Sequence, residues 1–426
     1  MNRSRLIITA SFAASLGWGT ILPFQYAYVV DARGWGSVTG VLTGTVFCVG
    51  SVVAAPTAGR LADRYPARAL AVVFALLAAL SCIGLGVASS PATFLAAMAM
   101  FGAAVTASAP ATQLLLLECS GPDDRRSVFA YQFTAMALGM AVGAFAAGWV
   151  IDLDRPEGMW PAFTAATLGF AASAWLIFVS NGTEPTTARQ RLDDSRHHET
   201  VPSSAGGPAT YRALFANRQV RLLALVSMAL AAGFYAQFET GLPAFALQSL
   251  SVQASTIGVA AAANCLVIVG LQWLVVRLTR HHSGALLLVM VGAIWAGCWL
   301  VLDAALFLSP EHASVVFVIA FGVFAVGETM YAPVLSPLAA AVAPPGMVGT
   351  TLGALAALRT GISAAGPLVA GLLIALDLPH VFVLSHAAIN VTAAVLAWRL
   401  LLAQGRTQRP SQVDNGHTLD ARSIHV

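Results

Sequence analysis

Long uncharged, apolar runs are the feature of this sequence that most limits how it can fold. In the first half they cover residues 6–30, 34–59, 69–117, 127–151 and 158–183. A helix needs about 20 apolar residues to cross the roughly 30 Å hydrocarbon core of a bilayer, so each run predicts at least one crossing. The third run is long enough for two crossings and is broken by the turn signal Ser89-Ser90-Pro91. The first half therefore predicts six transmembrane helices.

The second half predicts six more, over residues 222–248, 254–276, 283–307, 312–342, 347–376 and 379–401. The chain is 58% hydrophobic and 10% charged, which leaves too few charges for the surface of a soluble protein of this length. We therefore expect an all-α membrane protein with twelve transmembrane helices in two pseudo-symmetric six-helix bundles. The predicted divisions are a bundle over 1–180, a polar linker over 181–218, a second bundle over 219–403 and a disordered tail over 404–426.

The placement of arginine predicts the orientation in the membrane. All 22 basic residues are arginine, and in this count 19 of them fall on one side of the predicted helices. Arg33 and Arg155 fall on the other side, and Arg359 lies within a helix. Because cytoplasmic loops carry the excess of basic residues, both termini and the linker are predicted to be cytoplasmic. We expect a multi-pass protein of a bacterial inner membrane.

The two halves resemble each other in sequence. A shift of 220 residues places Thr20, Leu22 and Pro23 on Thr240, Leu242 and Pro243, and a shift of 223 places Gly143 and Gly148 on Gly366 and Gly371. Such repeats predict an internal duplication, with a pseudo-twofold axis along the membrane normal and a cavity between the halves. That arrangement is suited to alternating access.

The segment GRLADRYPAR, between the second and third predicted helices, carries a family resemblance. It resembles the G-x-L-A-D-R-x-G-R-K signature of the major facilitator superfamily at Gly59, Asp63 and Arg64, with Arg68 in place of the lysine and Pro66 in place of the second glycine. The degenerate loop VRLTRHHSG looks like a second copy with Arg280 where the aspartate would be. The six-linker-six layout extends the resemblance over the whole chain and implies a secondary transporter rather than an enzyme.

The resemblance implies that Asp63 lies against the start of the eleventh helix and acts as a conformational switch with Gly59, Arg64 and Arg68. The eleventh helix is predicted to begin near Met347, and a carboxylate at its unpaired amides would be favoured by about 0.3–1 kcal/mol. The alternative is that the arginines only anchor the loop to phospholipid. Anchoring explains the arginines but leaves the aspartate unexplained.

Glycines at spacings of four and five residues mark the fifth predicted helix. Gly139, Gly143 and Gly148 resemble a motif associated with drug:proton antiporters of the superfamily, with Ala144 in place of its proline. The eleventh helix carries Gly366, Pro367 and Gly371 at the equivalent place. Small residues also let two helix backbones approach closely, which accounts for these positions without reference to transport direction.

Three charges lie well inside the predicted spans, away from their ends: Glu239, Glu328 and Arg359. Each costs about 2.5–3.5 kcal/mol at the bilayer centre, so such residues usually face a cavity, a partner or a transport pathway. A carboxylate in that setting can take up and release a proton, which predicts proton coupling through Glu239 and Glu328. The alternative for Glu328 is a structural ion pair with Arg359.

Neutral polar side chains are expected beside these charges in a substrate cavity. Together with Arg359, the candidates are Gln25, Tyr26, Gln113, Gln132, Tyr235, Gln237, Asn264 and Tyr331. Each of them could instead make a hydrogen bond between helices. A cavity with isolated acids and many Phe and Met residues predicts an amphiphilic substrate, and a carboxylate there would attract a cationic one.

Several other chemistries are excluded or disfavoured. A phosphate-binding G-x-x-x-x-G-K-[ST] loop needs lysine, which the chain lacks, and the sequence has no H-E-x-x-H motif. The five cysteines form no metal-binding cluster, so no metal or other cofactor is predicted, and no nucleic acid. The favoured interpretation is a monomeric proton-coupled exporter of drugs or small amphiphilic metabolites. A nutrient symporter and a non-transporting membrane sensor are the alternatives.

Overall fold

A computed structural model describes residues 3–121, 124–180, 208–238 and 241–407 of the chain. Glu239, most of the predicted linker and nearly all of the predicted tail lie outside these ranges. Within the ranges the structure is helical, as predicted. Within the predicted linker, residues Pro208–Ala216 form a short helix.

Six long helices make up the first half: α1 (Arg3–Ile21), α2 (Ser37–Arg64), α3 (Ala67–Val87), α4 (Pro91–Glu118), α5 (Arg125–Val150) and α6 (Trp160–Val179). The predicted break between α3 and α4 is present. The Ser90 hydroxyl accepts a hydrogen bond from the Thr93 amide, and Pro91 occupies the first turn, where its missing N–H costs nothing. The long third run is therefore two helices.

The second half begins with α7 (Arg218–Leu230), which continues through a π-helical turn (Ala231–Tyr235) and the short segments Ala236–Phe238 and Gly241–Gln248. Five uninterrupted helices follow: α8 (Ala254–Thr279), α9 (Gly284–Ala305), α10 (Pro310–Val342), α11 (Val348–Ala375) and α12 (Pro379–Thr407). The α12 helix extends beyond residue 403, where the sequence predicted the tail to begin.

Eleven helices of the described ranges are long and apolar enough to span a membrane, and a bent pair brings the number to twelve. The bent pair is α1 with Gln25–Ala32, and its two parts meet at 42°. The sequence predicted one continuous helix over 6–30. Pro23 lies at the bend, and because proline has no N–H and its ring crowds the preceding turn, the helix changes direction there.

The packing pairs repeat between the halves. In the first half α1 packs on α5 and α6, while α4 packs on α2 and α3. In the second half the continuation of α7 packs on α11, while α10 packs on α8 and α9. The bundles meet where α2 packs on α11 and where α5 packs on α8 and α10. Equivalent helices thus form both inter-bundle interfaces, as expected for a duplicated fold.

One end of both bundles carries most of the described arginines, and we call it the arginine-rich face. It contains the start of α1 and the end of α4, which Arg3 and Glu118 join at 3.4 Å. It also contains the loops from α2 to α3, α4 to α5, α8 to α9 and α10 to α11. The outward sides of the helices expose large apolar residues, including Trp149, Leu266 and Leu368, and such a surface suits lipid rather than water.

Candidate functional site

A cavity of about 420 Å³ lies between α1, α3, α4, α5, α6 and the facing side of α11. Its polar lining comes from hydroxyl and amide side chains, including Ser11, Ser15, Thr112, Gln113 and Gln132. Its apolar lining includes Trp18, Met136, Met140 and Phe170. Arg359 of α11 is the one charged side chain among the described residues that line it. The cavity can therefore accept a molecule with both an apolar and a polar part.

The structure brings three of the predicted cavity residues together here: Gln113, Gln132 and Arg359. The Gln132 amide donates a hydrogen bond of 3.2 Å to the Ser11 hydroxyl, which joins α5 to α1. Gln25 and Tyr26 lie beyond the bend of α1, and Tyr26 is 47% exposed. They are therefore separate from this cavity.

The guanidinium of Arg359 has an aromatic neighbour. It lies 5.8 Å from the centre of the Tyr331 ring, a distance at which a cation is attracted to the ring face. Within the described ranges no ion pair forms between Arg359 and a carboxylate. The predicted alternative of an ion pair with Glu328 is thus not seen in this structure, although both residues are described.

Glu328 is buried in α10, with 6% of its surface exposed, and has a neutral partner. The side-chain amide of Asn264 on α8 donates a hydrogen bond of 2.7 Å to the Glu328 carboxylate. The same amide lies 3.3 Å from the Phe321 carbonyl, which also accepts from it. An amide can serve both the charged and the protonated carboxyl group, so this pairing leaves Glu328 free to change its protonation state.

Aromatic rings connect the carboxylate region to the arginine of the cavity. Tyr235, Tyr331 and Trp295 form a triangle with ring centres 5.6–5.9 Å apart. Tyr331 follows Glu328 by three residues on α10 and also faces Arg359. The predicted residues Tyr235, Asn264 and Tyr331 therefore belong to this second, carboxylate-containing cluster. Gln237 instead donates to the Gly366 carbonyl at 3.3 Å and ties α7 to α11.

The Asp63 contact predicted from the loop signature is present at the arginine-rich face. The two carboxylate oxygens of Asp63 accept hydrogen bonds from the backbone amides of Gly349 and Thr350, at 2.5 Å and 2.6 Å. These amides belong to the first turn of α11, where no helical carbonyl is available to them. The carboxylate thus satisfies two donors and meets the positive end of the helix dipole.

Glycine is required where α2 and α11 cross. A Cβ atom on Gly59 would lie 2.5 Å from the Gly349 carbonyl oxygen, and one on Gly353 would lie 2.5 Å from that of Ala55. Both distances are shorter than any real Cβ contact, so the two backbones could not approach this closely with larger residues. In the loop signature, Gly59 therefore allows α2 and α11 to cross closely, and Asp63 supplies the charge.

The arginines of the signature occupy different surroundings. Arg68 donates to the Phe178 carbonyl at the end of α6 and lies over the Phe178 ring. Arg64 is exposed in the last turn of α2. Arg60, outside the predicted set, lies over the ring of Tyr211, whose hydroxyl donates to the Pro56 carbonyl at 2.9 Å. The short helix Pro208–Ala216 is thereby attached to α2.

A second contact at this face joins α5 to α8 and was not predicted. The Arg126 guanidinium donates a hydrogen bond of 3.0 Å to the Thr279 carbonyl in the last turn of α8. A cation is favourable at the carboxyl end of a helix, where carbonyls lack partners. The sequence gives little signal for it, because no signature distinguishes Arg126 from the neighbouring Arg125.

The predicted packing glycines divide into two groups. Added Cβ atoms would overlap the Phe12 carbonyl at Gly139, the Leu16 carbonyl at Gly143 and the Ala236 carbonyl at Gly366. These glycines therefore hold α5 against α1 and α11 against α7. Gly148 meets only the Phe24 ring at 3.8 Å, Gly371 has open space, and Pro367 lies within α11. Close helix packing accounts for the first group.

One polar pair on the opposite side of the molecule was also missed. His380 at the start of α12 contacts Asp303 near the end of α9, with 2.8 Å between the ring nitrogen and the carboxylate oxygen. The imidazole and carboxylate are both partly exposed. The pair joins the ends of two helices and lies apart from the cavity.

Comparison with known proteins agrees with this architecture. Residues 7–359 match the family model described as Major Facilitator Superfamily. A relative named "Multidrug resistance protein 2", from Bacillus subtilis strain 168, is 22% identical over 174 residues, which are 41% of this chain and 42% of that protein. The matched region thus spans less than half of the relative's length.

Two solved structures share the fold over nearly their whole length. The human organic anion transporter MFSD10 superposes with a TM-score of 0.69 at 16% identity, covering 93% of this chain and 99% of that one. A bacterial homologue of the iron transporter ferroportin, in an outward-facing state, gives 0.68 at 14% identity, with coverages of 95% and 100%. The family match extends over most of the sequence and agrees with the helix arrangement, so this chain belongs to the major facilitator superfamily and is a transporter rather than an enzyme.

Proposed function

We propose that the chain is a proton-coupled antiporter that exports drugs or small amphiphilic metabolites across a bacterial inner membrane. The observation that carries the proposal is the buried Glu328 carboxylate, which has the neutral Asn264 amide as its partner. Its arginine-rich face would be cytoplasmic, by the excess of arginine there. We propose that it acts as a monomer.

The neutral partner matters because it gives the proton a role in the transport cycle. A charged carboxylate at the bilayer centre costs about 2.5–3.5 kcal/mol on insertion scales, and protonation removes that charge. An arginine partner would instead hold the carboxylate permanently ionised. Moving one charge across 100 mV yields about 2.3 kcal/mol, which is enough to drive a modest concentration gradient. Glu239 is proposed as the second proton-binding residue.

The contacts at the arginine-rich face support the role proposed for Asp63. Release towards the cytoplasm or uptake from it would require α2 to separate from α11, and therefore the Asp63 hydrogen bonds to break. We propose that Gly59, Asp63, Arg64 and Arg68 control this step. The relative named for multidrug resistance supports drugs as the proposed cargo.

The proposal is tested first in cells that express or lack the protein. Susceptibility and accumulation are measured for a panel of amphiphilic compounds, with and without an uncoupler. We expect lower accumulation in the expressing cells and loss of the difference on uncoupling. Higher accumulation would indicate an uptake symporter instead. Binding without transport by the purified protein in liposomes would indicate a sensor and would contradict the proposal.

The proton-binding residues are tested in proteoliposomes with a compound identified in that screen. Glu239→Gln and Glu328→Gln are each expected to abolish transport driven by a pH gradient while leaving binding largely intact. A variant that transports like the wild type under the pH gradient would remove its residue from the coupling mechanism.

A further inference from the structure

We infer that the cavity recognises an anionic group on its ligand, such as a carboxylate, and that Arg359 binds it. The inference rests on the proposed function in one respect, that this cavity is the transport site. It goes further by assigning a charge to the ligand, and it reverses the cationic preference that isolated acids predicted.

The first argument is the charge of the cavity itself. Arg359 is a permanent cation, and the other described lining residues are uncharged. Within the described part of the chain it has an aromatic ring as its neighbour and forms no ion pair. A positive charge at membrane depth is usually paired or functional. A ligand carboxylate would supply the missing negative charge each time the cavity is occupied.

The second argument is the position of the nearest buried acid. Glu328 accepts its hydrogen bond from Asn264 on α8 and does not line the cavity. A cationic ligand in the cavity would meet Arg359 and no described carboxylate. Like charges would then repel at short range in a region of low dielectric constant, where such effects are largest.

The third argument concerns geometry and shape. A guanidinium offers planar N–H donors that match the two oxygens of a carboxylate, and the Tyr331 ring gives it a supporting surface without neutralising it. Trp18, Met136 and Phe170 provide apolar surface within the same cavity. A volume of about 420 Å³ is in the lower part of the range for small-molecule sites. The preferred ligand is therefore a compact aromatic or aliphatic acid.

The test uses matched sets of probes that differ in one group. Each set has a carboxylate, a primary amide and an amine on the same ring system: 2-naphthoate, 2-naphthamide and 2-naphthylmethylamine, and the corresponding biphenyl compounds. Binding to the purified full-length protein is measured by calorimetry, without any ion gradient. We expect the wild type to bind at least one carboxylate about tenfold or more tightly than its amide, and the amines to bind least.

The variants Arg359→Gln and Arg359→Lys assign the preference to this residue. Arg359→Gln should bind carboxylate and amide alike, and Arg359→Lys should retain part of the preference, because it keeps the charge but loses the planar donors. Arg155→Gln, the same substitution at an exposed arginine outside the cavity, should keep the preference. Equal preference in wild type and Arg359→Gln, tighter binding of the amines, or no binding of either carboxylate would overturn the inference.

A stability measurement covers the case in which Arg359 pairs with an acid outside the described ranges. If Arg359 has no internal counterion, Arg359→Gln should lower the unfolding temperature only slightly, through loss of the Tyr331 contact. A large fall in the unfolding temperature would indicate a broken internal ion pair and would contradict the inference. Because binding is measured without a gradient, failure of proton coupling in the flux assays would leave these results unchanged.

Discussion

At the α2–α11 interface a carboxylate reaches the amino end of a helix, whereas at the equivalent α5–α8 interface a guanidinium reaches a carboxyl end. Asp63 accepts two hydrogen bonds from the first turn of α11, and Arg126 donates one to the Thr279 carbonyl of α8. The second copy of the loop signature has Arg280 where the first has its aspartate. The α2–α11 contact thus has a negative side chain at the start of a helix, and the α5–α8 contact has a positive side chain at the end of one. The α2–α11 contact also has two hydrogen bonds, whereas the α5–α8 contact has one.

The backbone crossing adds to this difference. Gly59 and Gly353 let α2 and α11 touch through their backbones, and a Cβ atom at Gly353 would lie 2.5 Å from the Ala55 carbonyl oxygen. On the α8 side, Gly258 and Gly270 have open space around them. We therefore expect α2–α11 to dominate closure at the arginine-rich face, and the following predictions test that ranking.

The largest effect is expected from Gly353→Ala. The added methyl group should force α2 and α11 apart, since overpacking costs about 1–3 kcal/mol and more when backbone must move. Transport of a compound from the cell screen should fall about tenfold or more. The matched control is Gly361→Ala on the same helix, where the nearest atom to a Cβ is Val52 Cγ2 at 4.0 Å. Equal loss in both variants would show that helix propensity, not the crossing, is responsible.

The next effect is expected from Asp63→Asn. The variant loses the charge and one of two acceptors at the start of α11, at a cost of about 1.5–3 kcal/mol for charge-assisted hydrogen bonds. The closed-to-open ratio should therefore fall by about tenfold to a hundredfold, measured by energy transfer between dyes on the arginine-rich face. Tyr65→Phe, at an exposed neighbouring position outside the proposed switch, serves as the control. A closed population equal to that of the wild type would reduce Asp63 to a topology residue.

A smaller effect is expected from Arg126→Gln. One hydrogen bond from a charged group contributes about 1.5 kcal/mol at the lower end of its range, so the closed-to-open ratio should fall by up to about tenfold. Arg125→Gln serves as the control, because it removes a charge at the start of α5 and leaves the Arg126 hydrogen bond in place. If Arg126→Gln opened the molecule more than Asp63→Asn, the ranking of the two interfaces would be reversed.

The smallest expected effect is the coupling free energy between substitutions at the two interfaces. The double variant Asp63→Asn with Arg126→Gln should have a free-energy change equal to the sum of the single changes within about 0.5 kcal/mol, because the contacts share no residue. A coupling energy above about 1 kcal/mol would instead show that loss of one contact alters the other.

The sequence predicted the helices well because bilayer crossing depends on length and charge alone. The bend of α1 at Pro23 and the helical segment Pro208–Ala216 were missed, since both depend on local backbone geometry. The Asp63 contact could be predicted because a signature supplied the acid and the physics of a helix terminus supplied its partner. The Arg126 contact could not, because no signature distinguishes Arg126 from the neighbouring Arg125.

The sequence indicated which residues lie in the membrane interior better than it indicated which of them lie together. Gln113 and Arg359 line the cavity, whereas Asn264, Tyr235 and Tyr331 belong to the cluster around Glu328. Which side of a helix faces a cavity depends on how the helix is rotated in the bundle, and apolar residues all around these helices leave that rotation unmarked in the sequence.

The central claim is that protonation of Glu328 changes the equilibrium between closed and open arrangements of the bundles. The most direct measurement is the distance between spin labels at Tyr65→Cys and Pro345→Cys, beside the α2–α11 contact, in protein whose five native cysteines are replaced. In the wild type this distance distribution should differ between acidic and alkaline pH. Glu328→Gln mimics the protonated state, so it should show the acidic distribution at both. A pH-dependent shift in Glu328→Gln equal to that of the wild type would contradict the account.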